Sequence, residues 1–265
     1  MKIGTLSSEL RGAEMVLSGP ERVEAILRVL RTFRPDMPLS AGYSLATDAE
    51  LATLGEELAG MAWKGLVFAE VKSYDSALWP KPTSGIATPE PSRRAMFAWA
   101  DGKLHHIGRQ LLTQSSDIGA GNQCVALLEE CLASRTVNFR GQRVGALICG
   151  ELNILRGRNE ITPVSARIGD WLRSLDILVN PTHDLMGIGG TLRAKRRWLS
   201  RRGKAYVSAS NWNSQKPVQR QSGKGPAIRA QSRSAATLQS VLLDGQDVEM
   251  CRMNETEFEY RDALI

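Results

Sequence analysis

Apolar residues in this chain fall into short continuous runs separated by segments with helical spacing. Residues 2–6 predict a first strand. Ser18-Gly19-Pro20-Glu21 marks a helix start with proline near its first turn. Val23, Ile26, Leu27, Val29 and Leu30 then recur at helical spacing to about Arg34, where Pro35-Asp36 breaks the pattern. Residues 37–45 predict a second strand and its exit loop. Thr47-Asp48-Ala49-Glu50 forms a cap with acids in the first turn, and Leu51, Leu54 and Leu58 mark the inner face of a second helix. Residues 65–71 predict a third strand. Residues 74–92, rich in Pro, Ser and Thr, predict a surface loop with a short strand around Gly85-Ile86-Ala87.

In the second half, two alternating runs (95–100 and 103–112) flank Asp101-Gly102, a strong local hairpin signal. A helix is expected over 119–132, a buried strand over 143–149, a helix over 165–174 and a strand over 175–180. A basic helix over 191–202 and a strand over 204–211 follow. From Pro226 the chain holds short strand-like pieces, with a tail from about 245 ending in an acidic, ragged terminus. Strands alternating with helices, plus antiparallel hairpins, imply an α/β layered fold, organised as a single domain over 1–265.

The run Val144-Gly145-Ala146-Leu147-Ile148-Cys149 stops at a nucleophile and is followed at once by Gly150-Glu151. Open α/β folds place their chemistry at the carboxyl edge of such strands. A free cysteine is more often a small buried hydrophobe, so the position rather than the residue type carries this signal. Glu151 is either a substitute base or the cap of the next turn.

Composition narrows the class. The four cysteines (Cys124, Cys131, Cys149 and Cys251) have neither CxxC pairing nor zinc-like spacing, and no apolar stretch reaches the ~18 residues of a membrane helix. Cys124 and Cys131, seven apart on a helix, share a face and read as core. A cytoplasmic, soluble, thiol-reduced protein without membrane attachment is expected. The net charge is +6, and twelve Lys/Arg with no Asp or Glu lie between Arg193 and Arg233. That basic segment, 193–233, is either a solvated helix face with a basic loop or a contact for a polyanion. His105, His106 and His183 have no carboxylate at matching spacing, so neither metal nor cofactor is expected.

The order of elements around Cys149 resembles the nitrilase, or carbon–nitrogen hydrolase, superfamily. Arg143-Val-Gly-Ala-Leu-Ile-Cys-Gly-Glu-Leu resembles the family's cysteine strand, Asp176-Ile-Leu-Val-Asn-Pro-Thr its following strand, and Ala205-Tyr-Val-Ser-Ala-Ser-Asn a later one. The match runs over about 1–212. The resemblance implies a four-layer α-β-β-α sandwich of nitrilase type, usually a homodimer, acting on a small amide or nitrile. It also implies a Glu-Lys-Cys triad in which cysteine attacks carbon, glutamate is the base and lysine stabilises the oxyanion.

Two of the three positions depart from that pattern. The glutamate position falls on Gly42 and the lysine position on Gln110, leaving Cys149. A rival alignment puts the acid at Glu70, in Leu66-Val67-Phe68-Ala69-Glu70, and the lysine at Lys103, in Lys103-Leu104-His105. Arg109 and Gln110 can offer donors to an oxyanion. Tyr43, Arg109, Asn180 and His183 are expected around the pocket, with His183 on the same sheet edge as Cys149, where the two can pair. Two functions stay open: a cysteine-dependent C–N hydrolase, or a catalytically inactive nitrilase-like binding or interaction protein.

Overall fold

The computed structural model describes residues 1–12, 14–75, 94–113, 115–118, 123–184, 189–214, 217–218, 227–228, 238–254 and 258–265. Two twisted sheets stack face to face with helices on both outer sides, giving the α-β-β-α layering that the resemblance implied.

The first sheet contains β1 (Lys2–Arg11), β2 (Met37–Ser40), β3 (Val67–Ser73), β4 (Ala95–Ala100) and β5 (Lys103–Arg109). The second contains β6 (Thr136–Phe139), β7 (Gln142–Ala146), β8 (Ile177–Thr182), β9 (Ala205–Ser210), β10 (Gln239–Leu243) and β11 (Gln246–Asp247). Two last strands, β12 (Cys251–Asn254) and β13 (Phe258–Leu264), return to the first sheet. The orders are β12-β13-β1-β2-β3-β4-β5 and β11-β10-β9-β8-β7-β6. β1, β2 and β3 are parallel, as are β7, β8 and β9. Helices α1 (Gly19–Phe33) and α2 (Asp48–Gly60) cover the first sheet, while α3 (Gln123–Cys131), α4 (Ala166–Ser174) and α5 (Gly189–Leu199) cover the second.

Each layer follows from side-chain alternation. Leu66 and Phe68 of the third-strand region join Leu39, Val144, Ile148, Ile177 and Val179 between the sheets. Val67, Ala69 and Val71 point the other way, onto Val23, Ile26, Leu30, Leu54 and Leu58 of α1 and α2. The two-residue period therefore aims Glu70 and Lys72 into the space between the sheets. The same count from Ile177 and Val179 aims His183 there, one residue past the end of β8.

Local chemistry fixes the helix starts. The Glu21 carboxylate accepts from both the backbone N–H of Ser18 (2.7 Å) and its hydroxyl (2.6 Å), closing the first turn of α1. Arg22 pairs with Glu50 at 3.0 Å, tying α1 to α2.

Three expectations change. Cys149 is not on its strand: β7 ends at Ala146, and Cys149 opens a tight 3-10 turn, Cys149–Ile154, with φ of 42°. The C-terminal piece is not a ragged tail, because β13 lies inside the first sheet, paired with β1 from Lys2↔Leu264 to Ser8↔Phe258. Its charges are compensated in place: Glu259 pairs with Arg252 and Arg261, and Asp262 pairs with Lys2 at 3.0 Å. The basic helix ends at Leu199. All but the first two residues of the loop expected over 74–92, its short strand at 85–87, and most of 215–237 lie outside the described residues.

No helix among the described residues is long and apolar enough to cross a membrane.

Candidate active site

Cys149 stands where the carboxyl ends of the two sheets face each other. Its positive φ is uncommon for a residue with a Cβ and turns the side chain away from the line of β7. The bend is held from below. Glu151, fully buried, accepts from Ile148 N–H (2.8 Å) and Leu111 N–H (2.8 Å) and forms a two-pronged pair with Arg135 (2.6 and 2.9 Å). With all its acceptor sites engaged it has no lone pair to offer a substrate. Its bonds to Ile148 and Leu111 are those of a capping carboxylate. Asn180 adds a second tie. Its side-chain N–H₂ donates to the carbonyl of Leu147 (2.8 Å) and reaches that of Cys149 (3.4 Å), while its oxygen accepts from the Tyr206 hydroxyl (3.0 Å).

Beside the thiol lies His183. Its ring hydrogen-bonds the Cys149 side chain, and its Nε2 donates to Glu70 Oε1 at 2.7 Å. Each ring nitrogen serves one partner, which leaves Nδ1 for the sulfur. Burial alone would lower the affinity of this imidazole for its proton. The Glu70 carboxylate, together with the bonds to Cys149 and Glu70, outweighs burial and lifts the pKa to about 10. Glu70 is completely buried, and its Oε2 accepts no hydrogen bond among the described residues. An incompletely paired buried carboxylate is costly and is concentrated at sites of function.

Tyr43 forms a wall of this group. Its ring stacks on His183 with centroids 3.9 Å apart and planes 3° from parallel. Arg94 and Lys72 carry their charges 5.2 and 5.6 Å from the Tyr43 ring centre. Burial pushes the Tyr43 hydroxyl up to about 12 against the pull of Arg94.

Gly42 and Gln110 both have defined surroundings. A Cβ on Gly42 would sit 2.4 Å from His183 Cδ2 and 3.0 Å from the His183 backbone nitrogen. The histidine ring occupies the room that any side chain at 42 would need, so Gly42 and His183 accommodate one another. Gln110 is buried; its oxygen accepts from Arg94 at 3.0 Å, and its amide donates to the Leu112 carbonyl at 3.1 Å.

Of the residues singled out in the sequence, the structure gathers Cys149, His183, Glu70, Tyr43, Gly42 and Asn180. It sets others apart. Lys103 is exposed at the hairpin, in the pair Ala100↔Lys103. The Arg109 charge acts on the thiols of Cys131 and Cys124. Cys124 and Cys131 are only half-buried. A ring nitrogen of His105 is 3.2 Å from the Ala100 carbonyl, and His106 packs against Phe97. Sequence reasoning missed Arg94, Lys72 and Arg135. Lys72 was findable, since it shares the inward face of Glu70. Arg94 and Arg135 are placed by long-range register and carry no local signal. No group of three or more His, Cys, Asp or Glu among the described residues is arranged to hold a metal ion.

No family model matches the sequence, and no curated protein matches it either. Solved structures do match. A mutant amidase from Nesterenkonia sp. AN1, in complex with butyramide, aligns over 99% of this chain and 90% of its own at 10% identity, with a TM-score of 0.56. The carbon–nitrogen hydrolase of Helicobacter pylori G27 aligns over 99% and 88% at 11% identity, TM-score 0.52. XC1258 of Xanthomonas campestris, a CN-hydrolase superfamily protein, aligns over 99% and 90% at 10% identity, TM-score 0.52. This chain therefore has the fold of the nitrilase superfamily of carbon–nitrogen hydrolases.

Proposed function

We propose that the protein is a cysteine-dependent hydrolase of carbon–nitrogen bonds in small amides, in which His183 and Glu70 do the work of the missing glutamate and lysine. The observation that carries this reading is the continuous chain from Cys149 through His183 to the buried carboxylate of Glu70. Fold alone does not decide activity. A nucleophile, a base within hydrogen-bond reach and a third group that orients the base are the parts that acyl transfer requires.

In this scheme sulfur attacks the amide carbon as a thiolate, its negative charge balanced by the His183 imidazolium. The S–C bond forms, the C–N bond breaks, and the departing amine takes its proton from His183. The thioester is then attacked by water, whose proton returns to His183 as the carboxylic acid leaves and the thiolate is restored. Glu70 keeps its negative charge throughout, holding the ring and stabilising its charged form. Arg94, held by Gln110, supplies the positive charge for the oxyanion in place of a lysine at 110. Butyramide, bound by one amidase of this fold, sets the size class of substrate to try first.

The competing reading, an inactive binding scaffold, draws its support from Gly42 and Gln110. It weakens because His183 fills the space that Gly42 leaves. The experiment is to incubate the protein with butyramide and other short aliphatic amides, measuring released ammonia and the mass of the Cys149 peptide. Ammonia release that vanishes in Cys149→Ala, with an acyl adduct trapped on Cys149, is the expected result. Release that persists in Cys149→Ala, or no release and no adduct with any amide, would remove the hydrolase reading.

A further inference from the structure

Away from Cys149, a cleft of about 420 Å³ opens between α5 and the small hairpin formed by Leu155–Arg156 and Thr162–Pro163. Four arginines line it: Arg158 from the hairpin, and Arg193, Arg197 and Arg201 from α5 and its exit. The last three are spaced by four residues, so they follow one stripe of the helix. Like charges at that spacing repel, and Arg158, a fourth group of the same sign, does not relieve them. Carboxylates do little to balance the set. Arg193 pairs with Asp247 at 2.8 Å, and Glu160 lies on the cleft wall. Among the described residues Arg158, Arg197 and Arg201 take part in no ion pair.

The cleft is also shaped. The Arg158 Nη2 lies 2.8 Å from where a Cβ of Gly190 would stand, so the guanidinium reaches over the first turn of α5. Trp198 is half-buried: one part of its ring packs on the core outside the second sheet, and the residue also lines the cleft. That anchoring holds an aromatic surface in place beside the arginines. The volume falls within the range of small-molecule sites.

We infer that this cleft is a binding site for a small molecule carrying a chain of phosphates. Guanidinium groups match phosphate oxygens two at a time, and several lining one open cleft suit adjacent phosphates better than a single carboxylate. A nucleotide would add stacking of its base on Trp198. A nucleic-acid strand fits less well. Its phosphates need a strip of cations along a surface, whereas these arginines share one cavity interrupted by Glu160 and the Arg193–Asp247 pair.

The test is titration calorimetry of the full chain with tripolyphosphate and with ATP at low salt. Saturable binding of one equivalent is expected for both, and tighter binding of ATP would identify the nucleotide as the better fit. The exposed pair Arg197→Ala/Arg201→Ala should weaken binding roughly tenfold or more per arginine, with the rate of Cys149 alkylation unchanged. No saturable binding of either probe, or equal binding by the double variant, would overturn the proposal. So would preferential binding of single-stranded RNA with stoichiometry that grows with length.

Discussion

His183→Ala should lower amide turnover, and alkylation of Cys149 at neutral pH, by roughly a thousandfold or more. The imidazole contacts both the thiol and a buried carboxylate. Without it the thiol has lost its proton acceptor and the leaving amine its proton donor. Because the two residues act as a unit, Cys149→Ala/His183→Ala should be no worse than either change alone. Glu70→Gln preserves shape and removes the charge that lifts His183. The sign follows from the raised value. In the native protein His183 holds its proton up to about pH 10, so the Glu70–His183 pair contributes its full stability below 6.5 and loses it as pH climbs through 10. In Glu70→Gln the alkaline limb of the rate profile should move down by more than one pH unit. Equal profiles for the two proteins would show that Glu70 does not act on His183.

Arg135→Met should destabilise the fold by about 3–5 kcal/mol, measured by urea unfolding. Arg135 and Glu151 are both without solvent exposure, and removing the cation strands a buried carboxylate. The loss reaches the site as well. Glu151 holds the N–H groups of Ile148 and Leu111, so it fixes the turn that gives Cys149 its positive φ. The folded fraction of Arg135→Met should therefore alkylate Cys149 more slowly than native protein. Replacing both partners by apolar residues of similar volume should recover much of the stability without restoring the turn. A loss below about 1 kcal/mol for Arg135→Met would show that the pair is not the staple described above.

Much of this architecture is legible along the chain. The apolar runs before Cys149 and through Ile177 mark the second sheet, and Leu66-Val67-Phe68 marks the inward row that ends at Glu70. What the chain does not display is meeting across layers. Glu70 and His183 are 113 residues apart, on different sheets, and join only because both continue inward rows at the same edge. Gly42 reads along the sequence as a deleted carboxylate; in space it is the gap that admits an imidazole. For Glu151, local spacing fits a base and a cap equally, and the deciding partner, Arg135, lies sixteen residues upstream on a different element. The strand Phe258–Leu264 was hidden by its charges, since Glu259, Arg261 and Asp262 suggest solvent until their pairing with Arg252 and Lys2 is seen.

Activation of Cys149 by His183 is tested most directly by iodoacetamide alkylation of the native protein at pH 7, resolved by mass spectrometry at each of the four cysteines. Cys149 should react fastest, ahead of the exposed Cys251, because the His183 ring hydrogen-bonds its side chain. A Cys149 no faster than Cys251 would contradict it and leave a nitrilase fold whose cysteine is inert.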